Sequence, residues 1–96
     1  MKVVITDAAY ASLQQISDFI YEHNPVRAIS FINEIIDCCL ALADTHKIYP
    51  LVPRYEQVGI RRCVYRDYLI FYRTAKDYVE IINILHGSRN YDDLLW

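Results

Sequence analysis

Six side chains of types that could cleave a phosphodiester lie in the second half of the chain: Glu56, Arg61, Arg62, His86, Arg89 and Tyr91. Cleavage through a ribose 2′-hydroxyl needs a base for that hydroxyl, cations for the pentavalent phosphate and an acid for the leaving oxygen. Arg61 and Arg62 are adjacent, so on a strand they point to opposite faces and cannot both serve one site. The smallest set that could do this work is therefore Arg61, His86 and Arg89. Each also has a plain structural use. A histidine ending a strand commonly bonds neighbouring backbone, and Arg61 could pair with Asp67 or Glu80. Arg73 is equally open to an ion pair or a partner contact. Gly87 directly after His86, only three lysines and a pI near 5.8 favour binding over RNA cleavage, since RNA affinity rests on phosphate neutralisation.

Other chemistries are excluded more simply. The glycines are Gly59 and Gly87, which leaves no glycine-rich phosphate loop and no nucleophile elbow. Cys38 and Cys39 are adjacent and Cys63 stands alone, neither a disulfide framework nor a zinc pattern. The pair reads as small apolar residues inside a helix. No cofactor or metal is expected, and a reducing cytoplasm suits the cysteine usage. Tyr68 and Tyr72 share a strand face and read as packing residues whose hydroxyls need partners.

The elements that must position these groups follow from periodicity. Residues 2–5 (KVVI) form a short strand. Thr6 or Asp7 can cap the helix after it, roughly 7–22, in which Ala9, Leu13, Ile16 and Ile20 make one apolar face. Asn24-Pro25 is a helix start, with a cap and a proline where no N–H is missed. Ala28, Ile32, Ile35, Cys39 and Leu42 then step along a second helix, and Ile29, Phe31 and Ile36 widen its stripe. Two helices joined this closely form an antiparallel hairpin. Residues 44–58 carry two prolines and no period, and make a long loop. Beyond Gly59 the period becomes two: strands at 60–65, 68–74 and 79–86, joined by short turns, form a meander. The expected fold is α+β, β-α-α-β-β-β, with the hairpin covering a small, mainly antiparallel four-stranded sheet.

Length and charge bound the function. Ninety-six residues make a single domain with a thin core, too small for a cofactor domain beside a substrate domain. With 54% apolar and 23% charged residues the chain is not a disordered tail. A net charge of −2 gives no general affinity for nucleic acid, and no sequence-specific DNA binding is expected. Residues 54–76 nevertheless hold six bases against two acids, either a solvated sheet face or a docking surface for an acidic partner. No apolar run is long enough to cross a membrane or to act as a signal peptide. The tail ends Leu94-Leu95-Trp96, expected either to dock on the sheet or to meet a partner.

Several of these residues resemble the RelE/ParE superfamily of bacterial toxins, and specifically its ParE-like branch, the plasmid-stabilisation toxins. In the helical half these are Ala9, Leu13, Ile16, Phe19-Ile20, Asn24-Pro25, Ala28 and Phe31. In the sheet half they are Gly59-Ile60-Arg61, Tyr68-x-Ile70-x-Tyr72-Arg73 and Ile81-x3-Leu85-His86-Gly87-x-Arg89. The resemblance spans roughly residues 3–90. It implies the toxin of a type II toxin–antitoxin pair, held inactive by a ParD-like antitoxin and inhibiting growth by poisoning DNA gyrase. RelE-like relatives instead cut messenger RNA on the ribosome, the alternative enzymatic reading; a non-toxic relative that only binds antitoxin is a third. The antitoxin is expected to lay a helix along the hairpin and an extended segment beside the sheet. Homodimers or two-plus-two toxin–antitoxin heterotetramers would be the assemblies. Arg61, Arg73, His86, Arg89, Phe31, Ile35 and Trp96 are the expected partner contacts. Replacing Phe31 or Ile35 by Asp is accordingly expected to destabilise the chain or abolish antitoxin binding.

Overall fold

A computed structural model of the chain describes residues 1–91. The order is β1 (Lys2–Ile5), α1 (Asp7–Tyr21), α2 (Pro25–Thr45), β2 (Arg61–Tyr65), β3 (Tyr68–Thr74) and β4 (Tyr78–His86). Both helix starts follow capping chemistry. Thr6 Oγ1 accepts from the Ala9 N–H, and Asn24 Oδ1 accepts from the Arg27 N–H with Pro25 next in line. Asn24 also ends the turn that folds α2 back along α1.

The sheet order is β1-β4-β3-β2. β1 pairs parallel with β4, whereas β4–β3 and β3–β2 are antiparallel, so the sheet is mixed as its connections require. Only β1 must cross the helical hairpin to reach its partner. The main core lies between the hairpin and one sheet face: Ala9, Leu13, Ile16, Phe31, Ile35, Cys39 and Leu42 meet Cys63, Ile70, Tyr72, Val79, Ile81 and Ile84.

The opposite face of the sheet is also covered. Val52 and Ile60 from the long loop pack on Phe71 and Leu85, with Tyr55, Val58 and Tyr91 around them. The loop is held by its own backbone: Val52 N–H to the Ile60 carbonyl at 2.8 Å and Ile60 N–H to the Tyr55 carbonyl at 3.2 Å. Gly59, at φ +75°, allows the chain to turn there. The basic stretch 54–76 is therefore not one solvated sheet face. Strand alternation splits it, and an apolar second core occupies much of the outer side.

The pairing of β3 with β4 is irregular at one point. Phe71 pairs with Asn83 but Tyr72 pairs with Ile81, so Ile82 is an extra residue in β4. Val79 and Ile81 face the helices before this bulge. After it Ile84 faces them again, while Leu85 joins the outer core. Without the extra residue, every later side chain of β4 would change face. The Asn83 side chain pins the bulge: its Oδ1 accepts from Ser12 Oγ of α1 at 2.5 Å and from the Ile84 N–H at 2.9 Å.

Candidate functional site

The bulge sets His86 on the helix side of the sheet, opposite Tyr68. There the two rings meet edge to face at 5.3 Å. Around them is an open cleft of about 160 Å³, walled by Ser12, Gln15 and Phe19 of α1, by Tyr68, and by His86 and Arg89. Phe19 is 67% exposed. It lies off the α1 stripe, which is the sequence signal that it does not belong to the core. No carboxylate lines the cleft among the described residues.

His86 has a defined orientation. The Ser88 N–H donates to its Nδ1 at 3.1 Å, and Ser88 Oγ is 2.7 Å from the same nitrogen. A backbone N–H can only donate, so Nδ1 is an acceptor and the neutral ring carries its proton on Nε2. In this tautomer the outward nitrogen can donate a hydrogen bond but cannot accept a proton. The cleft thus offers an Nε2–H donor, the Arg89 guanidinium and aromatic surface, with the Nδ1 lone pair of His86 engaged by Ser88.

The remaining expected site residues are dispersed. Arg61 pairs across β2–β3 with Tyr72, four residues along β3 from Tyr68 and His86, or roughly 13 Å by strand rise. Its Nη1 donates to the Tyr49 carbonyl at 2.6 Å, not to Asp67 or Glu80. Glu80 instead accepts from Arg73 Nε at 2.9 Å, because those two residues face each other across β3–β4. Asp67 belongs to the β2–β3 turn at the opposite end of β2 from Arg61. Arg62 lies on the other face, donating to Tyr91 Oη at 3.3 Å. Of Arg61, His86 and Arg89, only the last two share a cleft.

Phe31 and Ile35 also need correction as partner contacts. They are 7% and 0% exposed, buried between the hairpin and the sheet. The stripe that made them look adhesive is the stripe that builds the core. Trp96, with the Leu94-Leu95 end of the tail, lies outside the described residues. Tyr91 does dock on the outer sheet face, 4.8 Å from Phe71 between ring centres.

The unburied apolar surface belongs to other helical residues. Ile29 and Leu40 of α2 and Tyr10 and Tyr21 of α1 are each more than half exposed. An interhelical groove of about 180 Å³, lined by Tyr10, Leu13, Ile32 and Ile36, runs on the side away from the sheet. The hairpin is stapled to β2 at one end: Arg27 grips Glu34 at 2.5 and 3.2 Å, and Tyr65 Oη donates to the same carboxylate. Arg27 first, then Tyr65, hold the Glu34 carboxyl below its ordinary pKa. Burial pushes the Cys39 thiol and the Tyr72 phenol up to about 12 each. Neither is a nucleophile near neutral pH. Among the described residues no three His, Cys, Asp or Glu side chains gather as metal ligands, and no helix is long and apolar enough to cross a membrane.

Comparison with known proteins agrees with this architecture. No curated protein sequence matches the chain. A solved structure described as the chromosomal ParDE TA system from P. aeruginosa superposes with a TM-score of 0.76, covering 90% of this chain and 95% of that one at 19% identity. At that identity the likeness establishes the fold: two helices and a mixed four-stranded sheet. The family model for the ParE toxin of the type II toxin–antitoxin system parDE matches residues 3–91. On a match over nearly its whole length, the chain belongs to the ParE toxin family of type II toxin–antitoxin systems.

Proposed function

We infer that this ParE-family toxin acts by binding, with DNA gyrase as its target, and that a ParD-like antitoxin neutralises it. The observation that carries the binding reading is the His86 tautomer. Ser88 engages Nδ1 from two directions, leaving an Nε2–H donor beside Arg89, Tyr68 and exposed Phe19, and no carboxylate among the described residues lines the cleft. Such a surface recognises a partner through donors and aromatic area. Of the three residues expected for RNA cleavage it holds His86 and Arg89, while Arg61 stands roughly 13 Å along the sheet, which supports binding over cleavage. Gyrase as the target is what the ParE-like resemblance implies, and family membership supports it.

The antitoxin is assigned to the outer face of the hairpin. Tyr10 lines the interhelical groove, exposed Ile29 and Leu40 stand at helical spacing from its Ile32 and Ile36, and an amphipathic helix would bury this apolar surface. The open edge beside Val64, which is 61% exposed, offers a short site for an extended segment. The Phe31 and Ile35 positions contribute by shaping the hairpin from beneath.

The deciding experiment is a gyrase supercoiling assay with purified, antitoxin-free chain, scoring linearised plasmid. Dose-dependent inhibition with trapped cleavage, relieved by antitoxin, is the expected result. A folded chain that leaves gyrase untouched but cuts messenger RNA in a translation extract would overturn the reading.

A further inference from the structure

The end of the sheet remote from His86 contains a further open cavity of about 290 Å³, lined by Lys47, Leu51, Gly59, Arg61 and Thr74. Its polar side chains arrive from three elements. Arg61 comes from β2, Lys47 from the chain just beyond α2, and Thr74 from the end of β3. The Arg61 guanidinium is oriented by the Tyr49 carbonyl, which uses one of its five N–H donors. Thr74 Oγ1 is held 3.0 Å from His46 Nδ1. No carboxylate lines the cavity among the described residues; Asp44, Glu56 and Asp77 are exposed on neighbouring segments. The lining thus brings an arginine, a lysine and a threonine from different elements around one cavity. Two cationic side chains with no lining carboxylate suit an oxyanion such as a phosphate.

The surrounding charge extends the site. All three lysines of the chain stand at this end: Lys47 in the cavity, Lys76 in the β3–β4 turn, and Lys2 opening β1. All three are exposed. With Arg61 on β2, these cations cross the sheet from one edge strand to the other, β2, β3, β4, β1. That row is about 14 Å wide at the usual strand spacing. The chain's net charge of −2 hides this row; Asp77 follows Lys76 in the same turn and Asp44 precedes Lys47, but neither lines the cavity.

We propose that the cavity between Lys47, Arg61 and Thr74 seats a backbone phosphate of duplex DNA, with Lys76 and Lys2 neutralising its neighbours. The contact is sequence-independent. The choice of DNA rests on the gyrase reading above, since a toxin bound to that enzyme works beside the duplex the enzyme holds. The cavity and the row of cations do not depend on it.

The test is fluorescence anisotropy of a labelled duplex of arbitrary sequence with the full chain, without gyrase, at several salt concentrations. Four cations predict a slope of log affinity against log salt near −3.6. Lys47→Ala removes an exposed side chain and should weaken binding about tenfold at about 50 mM salt and make the slope shallower by about 0.9. Arg61→Gln should do the same, with thermal melting run alongside because it also removes the Tyr49 bond. Inorganic phosphate should compete weakly. Three results would each overturn the proposal: no binding at about 50 mM salt, binding indifferent to Lys47→Ala, or a polyglutamate peptide bound as tightly as the duplex. If DNA binding follows expectation while gyrase is unaffected by the unsubstituted chain, the gyrase reading fails and the phosphate site stands.

Discussion

His86 illustrates how one neighbour decides what a titratable side chain can do. Ser88 supplies both its N–H and its hydroxyl to Nδ1, which turns the ring into a donor at Nε2. His86→Gln keeps a donor at that reach, so it should retain much of the gyrase inhibition that His86→Ala loses; inhibition titrations of the two variants check this. Cys39 makes a different point. Its thiol is fully buried and pushed up to about 12 by burial, above an ordinary value of 9.0. It should resist iodoacetamide at pH 8 in the native chain and react only on unfolding, as peptide mass spectrometry would show. The pH dependence follows in sign. Because the thiol and the Tyr72 phenol ionise less readily when folded, their contribution is complete at neutral pH and is lost as pH rises from about 9 towards 12. The urea midpoint should fall over that range, and Cys39→Ala should flatten the first part of the descent.

Among the elements, β4 is the one whose fine geometry counts most. The extra residue at Ile82 returns Ile84 to the helix side and carries His86 with it. Asn83 holds that bulge to α1 through Ser12. Asn83→Ala should cost about 1–2 kcal/mol, because it strips partners from the Ile84 N–H and the Ser12 hydroxyl; denaturant titration measures it. The hairpin separates stability from recognition. Ile35→Ala empties a fully buried site and should cost about 2–5 kcal/mol. Ile29, 64% exposed, should tolerate Asp with little change in melting yet lose antitoxin affinity by at least tenfold in calorimetry. If Ile29→Asp binds antitoxin unchanged, the antitoxin helix does not lie along that groove.

The whole molecule is a sheet with different chemistry at its two ends and different cover on its two faces. One end presents His86, Arg89 and aromatic rings; the other presents Lys47, Arg61, Lys76 and Lys2. The helical hairpin covers one face, and the loop before β2 covers the other. This arrangement leaves the outer hairpin free for one partner while both sheet ends remain available to another.

The elements themselves were legible from periodicity and punctuation. Thr6, Asn24-Pro25 and Gly59 mark real boundaries, because capping and φ constraints act over three or four residues and need no distant partner. The α+β order, the hairpin and the strands at 68–74 follow from the same local rules. What stayed hidden depends on contacts far apart in sequence. An apolar stripe does not say which of its residues meets the sheet, so Phe31 and Ile35 looked like partner contacts although they are core. Period-two alternation cannot show an inserted residue, so the face taken by His86 waited on the bulge at Ile82. Nor could composition show that Lys2, Lys47 and Lys76, distant along the chain, stand at one end of the sheet. Local chemistry determined the elements; only the register and order of the strands decided which side chains meet.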